Sequence, residues 1–220
     1  ITTRIECRRQ RQMCIRDRNT WLLYLIPGAV AGSAITFAGL WGVPFLDSHY
    51  AMEKTTAAAV CSTLLISWAV GGPVFGWLSD HLGHRKPLYA LGCMILLCGW
   101  SVILLVPELP VPLLIGLLIV VGFASGNMII GFAYAKESVP ARLSGTVSGI
   151  INMGVMMGPM LLQPAVGWML DRAWQGGTID GVRIYSLEAY RSGFALMLVW
   201  LALSVLLILF TKETNCEQLK

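Results

Sequence analysis

The chain has 220 residues, 56% of them hydrophobic and 13% charged. Soluble domains carry about 25% charged residues, so a water-soluble fold of this length would lack polar surface. The formal charge of +4 resides wholly in residues 1–18, which hold six arginines and two acids; from Asn19 onward ten Lys/Arg balance ten Asp/Glu, and the basic excess gives no sign of a nucleic-acid partner.

Residues 1–18 stand apart from the rest. Gln12–Arg18 reads back, codon by codon, as a transposon end used in sequencing adapters, so this stretch is expected to be an artefactual, disordered leader. Beyond it lie six apolar runs, Trp21–Leu46, Thr55–Leu78, Pro87–Val106, Val111–Ala135, Gly145–Leu170 and Ser192–Phe210. Each is long enough to cross a hydrocarbon core about 30 Å thick. The predicted class is an all-α membrane protein, with one six-helix unit over 19–212 and a polar tail at 213–220. The bilayer is its first partner.

The first run carries Ser33 and Thr36, and the second carries Ser67 and Trp68 at mid-span. The second run closes on Pro73-Val74-Phe75-Gly76-Trp77-Leu78-Ser79-Asp80. In the fourth, Asn127 lies near mid-span and shares a helix face with Tyr134 seven residues on. The fifth holds Gly145, Gly149, Gly154 and Gly158, two small-xxx-small steps that let a neighbouring backbone approach closely. Asn152 and Gln163 fall on one face of that run, with Met156 between them. Asn and Gln in a membrane helix serve either as substrate contacts or as hydrogen-bonding glue between helices. Thr36, Trp68, Asn127, Tyr134, Asn152 and Gln163 are the candidates for a substrate cavity.

The fifth run closes on Pro164-Ala165-Val166-Gly167-Trp168-Met169-Leu170-Asp171, which repeats the phrase P-x-x-G-W-x-x-D after 91 residues. Three crossings separate the copies, so they face opposite sides of the membrane, as in a 3+3 inverted repeat. Six spans put both ends on one side. Arg85, Lys86, Lys136, Arg142, Lys212 and Lys220 fall on that side; Lys54, Arg172, Arg183 and Arg191 fall on the other. Short loops weigh most in the positive-inside rule, so the termini and the loops at 79–86 and 136–144 are expected in the cytoplasm.

The first copy of the phrase runs on as His81-Leu82-Gly83-His84-Arg85-Lys86. With Gly76 and Asp80 this resembles the G-x-x-x-D-x-x-G-[RK]-[RK] loop of the major facilitator superfamily, with His84 at the first basic place. The resemblance implies one half of a major-facilitator fold, taken as the C-terminal six-helix half, with the N-terminal half as runner-up. It further implies a secondary transporter of a small organic solute that works by alternating access in the bacterial inner membrane and needs the missing half as partner. Gly76, Asp80, Gly83, Arg85 and Lys86 would form its gating loop, or a plain topological anchor. Gly83 permits a tight reversal. Asp80 can accept from the N–H groups of a neighbouring helix start, and Arg85 and Lys86 can pair with it. A non-transporting sensor on the same fold is the alternative.

Six cysteines give no disulfide framework, and no Cys/His cluster has ligand spacing, so no metal or other cofactor is expected. Asp80, His81, His84, Asp171 and Glu188 show no spacing that recommends catalysis, so no enzyme is expected either.

Overall fold

The computed structural model describes residues 18–179 and 181–217, apart from the side chains of residues 179 and 182. The leader therefore lies outside the described residues save for Arg18, which opens the first helix. Six helical spans are long and apolar enough to cross a membrane: Arg18–Tyr50, Lys54–Leu82, Lys86–Leu105, Val111–Glu137, Ala141–Arg172 and Leu187–Leu209. In chain order their helices are α1 (Arg18–Thr36), α2 (Gly42–Tyr50), α3 (Lys54–Leu82), α4 (Lys86–Leu105), α5 (Val111–Ser125), α6 (Met128–Glu137), α7 (Ser144–Arg172) and α8 (Leu187–Leu209).

Local chemistry sets the ends. α3 stops at Gly83, whose φ of +68° is a left-handed conformation that glycine adopts without strain. Pro87 then sits in the first turn of α4, where a missing N–H costs no hydrogen bond. Ser186 caps α8 by accepting from the Ala189 N–H at 3.2 Å, and Glu188 places negative charge at the positive helix end.

Two spans are interrupted. α1 and α2 are joined by a π-helical turn at Phe37–Trp41, in which the Gly42 N–H reaches back to the Phe37 carbonyl. Pro44 cannot donate to Leu40, and its ring crowds that carbonyl, so the helix widens just ahead of it. The first span then continues past Leu46, which brings Asp47, Ser48 and His49 into the helix. The fourth span breaks between α5 and α6 at Gly126 and Asn127.

Glycines decide how the spans pack. A Cβ on Gly154 would run into the Tyr24 carbonyl oxygen, and one on Gly158 into that of Gly28. Gly32 faces Gly158 in the same seam, which joins the first and fifth spans. The second and fourth spans meet in the same manner: Gly71 against the Phe123 carbonyl, Gly122 against that of Leu64, and Gly126 against Gly71. Exchanging spans 1–3 with spans 4–6 turns one seam into the other. That equivalence is what a 3+3 inverted repeat requires.

Gly145 and Gly149 are a correction to the expected close packing: among the described residues nothing lies within 4 Å of a Cβ at either, and both are exposed. They occupy the end of α7 before it meets the first span. The connection between the fifth and sixth spans adds a short antiparallel hairpin, β1 (Thr178–Ile179) with β2 (Val182–Arg183), to an otherwise helical chain.

Replacing Gly158 with leucine is expected to separate the first and fifth spans. Overpacking costs about 1–3 kcal/mol even where side chains can shift, and here the obstacle is backbone. Thermal unfolding in detergent should show a clear loss of Tm for Gly158→Leu and none for Gly145→Leu.

Candidate functional site

The second-to-third-span loop is folded around one guanidinium. Arg85 is only 5% exposed. Its Nη1 donates to Asp80 Oδ1 at 2.6 Å and to Ser79 Oγ at 2.9 Å. Its Nε and Nη2 meet the Glu137 carboxylate side-on, with Nη2 donating to Oε1 at 2.6 Å. The planar fork of arginine suits such two-point contact; a lysine would supply a single point charge. Burial alone would lower the Arg85 pKa, but the hydrogen bonds to Glu137 and then Asp80 outweigh it and hold the group firmly charged.

The two carboxylates are unlike. The Asp80 side chain is 70% exposed, whereas that of Glu137, at the end of the fourth span, is 12% exposed. Glu137 is therefore the partner whose loss would strand a buried charge.

Residues 211–217 form a strap across this end of the bundle. The Glu213 carboxylate accepts from the backbone N–H groups of Arg85 at 3.0 Å and Lys86 at 2.8 Å, which are free donors at the start of α4. It also accepts from Thr214 and Asn215. Burial alone would raise the Glu213 pKa; together the bonds from Arg85, Lys86, Asn215 and Thr214 bring it below the usual glutamate value. Lys86 Nζ donates to the Leu209 and Thr211 carbonyls at 2.8 and 2.9 Å, closing the C-terminal end of α8. Thr214 Oγ1 donates to Glu137 Oε2 at 2.6 Å. Asn19 accepts from the Lys212 N–H at 3.0 Å, which ties in the start of the first span.

Two expectations are corrected here. Asp80 was expected to accept from a helix start, but it takes the Arg85 side chain, and Glu213 takes the helix N–H groups. Lys86 was expected to pair with Asp80, but it caps α8 instead. Gly83 makes the reversal, and Gly76 sits in ordinary contact with Ile129, 3.5 Å from the place of a Cβ. Glu137 and Glu213 are the residues that sequence reasoning missed. Two cations beside one acid at Asp80–Lys86 signal a missing carboxylate, and the parity of the spans puts both glutamates on that side.

The cavity candidates divide by burial. Asn152 is exposed, and Trp68 is half-buried. Gln163 is half-buried; its side-chain amide donates to the Ile35 carbonyl at 3.3 Å, while its backbone carbonyl accepts from Trp41 Nε1 at 3.0 Å. Thr36 is fully buried, its hydroxyl without a partner among the described residues. Asn127 is fully buried against Gly92 of the third span. Tyr134 belongs to the strap, donating to the Lys212 carbonyl and lying 3.1 Å from Thr211 Oγ1. Tyr134 therefore acts as glue, whereas Asn127 fills space: its amide nitrogen lies 4.0 Å from Cys93 Sγ and its Oδ1 has no partner among the described residues. Among the described residues no group of His, Cys, Asp or Glu is placed to hold a metal ion.

The sequence matches the Major Facilitator Superfamily over residues 20–218. The chain belongs to that superfamily. Solved superfamily structures share its fold. The inward open xylose transporter XylE from E. coli superposes with a TM-score of 0.69 at 16% identity, covering 88% of this chain and 47% of that one. The partially occluded inward open form from E. coli gives a TM-score of 0.70 at 16% identity, over 89% and 48%. The proton:xylose symporter XylE bound to 6-bromo-6-deoxy-D-glucose gives 0.70 at 15% identity, over 89% and 44%. The chain thus spans about half the length of the structures it matches. None of the curated proteins compared matches it.

Glu213 makes the strap sensitive to acid. Because its pKa is depressed, its contribution is complete above the ordinary glutamate value of 4.5 and is lost as pH falls through the lower, folded-state value. Hydrogen exchange at the Arg85 and Lys86 amides, corrected for intrinsic rate, should stay constant from neutral pH down to about that value and rise below it. Glu213→Gln should exchange faster near neutral pH, by roughly tenfold for the loss of a helix cap, and the difference should close as the pH falls and Glu213 takes up its proton.

Proposed function

We propose that this chain is the C-terminal half of a secondary transporter that moves a small organic solute by alternating access, with the Arg85 network as its latch. The observation that carries the reading is a buried arginine joined to carboxylates from two different spans, beside a tail carboxylate on the same loop. Such a knot is either complete or broken, as a two-state element must be. When complete, it fixes the ends of the second, third and fourth spans together with the strap. The π turn at Phe37–Trp41 and the break at Gly126–Asn127 supply points where the first and fourth spans can bend as the knot opens.

The solute would lie against the middle of the bundle, where Asn152, Gln163 and Trp68 offer hydrogen bonds and an aromatic face without a fixed charge. Xylose, carried by the solved neighbours, is the first solute to try. A second six-helix half would close the cavity, since the matched structures are about twice as long. The bias of basic residues toward the side of the termini supports placing the strap in the cytoplasm.

Uptake by proteoliposomes containing both halves tests the latch. Arg85→Lys keeps the charge but loses the fork, and transport should fall roughly 10- to 100-fold, as expected when a buried ion pair worth a few kcal/mol is damaged. Glu137→Gln should fall comparably. Asp80→Asn, at the exposed contact, should cost less. Undiminished uptake by Arg85→Lys and Glu137→Gln would sink the latch.

A further inference from the structure

The second copy of the repeated phrase takes no part in the strap-end network, yet its aspartate also closes on an arginine. Asp171 Oδ1 accepts from Arg183 Nη1 at 2.7 Å and from the Tyr185 hydroxyl at 2.6 Å. Arg183 also lies over the Trp174 ring, 4.6 Å from its centroid, and Trp174 Nε1 donates to the Gly177 carbonyl at 3.0 Å. These contacts fold the connection before the sixth span into a roof. Beneath it lies a chamber of about 860 Å³ lined by Trp41, Asp47, Lys54, Arg183, Tyr185 and Tyr190, among others. Small-molecule sites run to roughly 300–1,000 Å³.

The charges of the lining select the occupant. Arg183 is engaged by Asp171. Asp47 and Lys54 form no ion pair among the described residues. One carboxylate and one ammonium thus remain, in a space with three aromatic side chains. A simple anion would suit Lys54 and be repelled by Asp47, and a simple cation the reverse. A neutral polyol would leave both charges unanswered. A zwitterion can set its ammonium on Asp47 and its carboxylate on Lys54 while its body rests on Trp41, Tyr185 and Tyr190.

We propose that this chamber, roofed by the second copy of the phrase, binds small zwitterionic solutes of the amino-acid class. The site stands at the opposite end of the bundle from the strap, and it does not rest on the latch.

Calorimetric titration of the full chain in nanodiscs tests it with three probes that share one aromatic body. L-phenylalanine carries both charges, phenethylamine only the ammonium, and 3-phenylpropionate only the carboxylate. Saturable binding of L-phenylalanine is expected, with each single-charge probe at least about tenfold weaker. Asp47→Asn should bring L-phenylalanine down to the affinity of 3-phenylpropionate, and Lys54→Met to that of phenethylamine. Asp171→Asn should weaken L-phenylalanine by releasing the roof. The absence of saturable L-phenylalanine binding, or equal binding of all three probes by the unaltered chain, overturns the proposal without any variant having to fold. So does unchanged affinity in folded Asp47→Asn and Lys54→Met.

Discussion

Helices in hydrocarbon gain nothing by hiding apolar side chains from each other, because the lipid tails are as apolar as leucine. Close packing takes the place of that gain, and here glycines let the backbones touch. Gly28, Gly32, Gly154 and Gly158 form one such seam, and Gly71, Gly122 and Gly126 form the other. Everything else hangs on these two lines. They orient the first and fifth spans so that Gln163 reaches the Ile35 carbonyl, and the second and fourth spans so that Glu137 arrives beside Arg85.

At the strap end the governing cost is desolvation. A guanidinium withdrawn from water needs acceptors for its donors, and Asp80, Ser79 and Glu137 take four of its five N–H groups. Helix termini carry the same demand in milder form. The start of α4 and the end of α8 lie together with unsatisfied N–H groups and carbonyls, and Glu213 and Lys86 each answer the other's helix. This crossed capping makes seven residues of irregular chain a structural member of the bundle.

Much of the architecture was legible because its signals are local. Apolar runs bounded by charge, Gly and Pro give the spans, and Gly83 before Arg85 and Lys86 gives the reversal. The pairing of Arg85 with Asp80 joins residues five apart and was legible too. What depends on distant partners was not. Glu137 and Glu213 reach Arg85 only through the fold, from 52 and 128 residues away. Asn127 reads as a cavity residue on a helical wheel, but Gly92 of the third span leaves a recess that it fills. Gly145, Gly149, Gly154 and Gly158 look alike in sequence, and only the last two meet a partner among the described residues. The π turn gave no signal beyond Pro44, whose effect on the preceding turn depends on what that turn packs against.

The π turn has an angular consequence. Successive residues of an α-helix are rotated by about 100°, and a π turn inserts one residue without advancing the helix by a full α-helical step. Everything beyond Trp41 is therefore swung around the axis relative to Gly28 and Gly32. No single helical wheel describes the first span; it has one wheel before the turn and another after it. Asp47 and Ser48, which line the roofed chamber, lie beyond that offset. Which residues line the chamber is thus set by the count of residues between Phe37 and Trp41 as much as by their identities, so a deletion of one residue there would re-aim the whole end of the span where a point substitution would not.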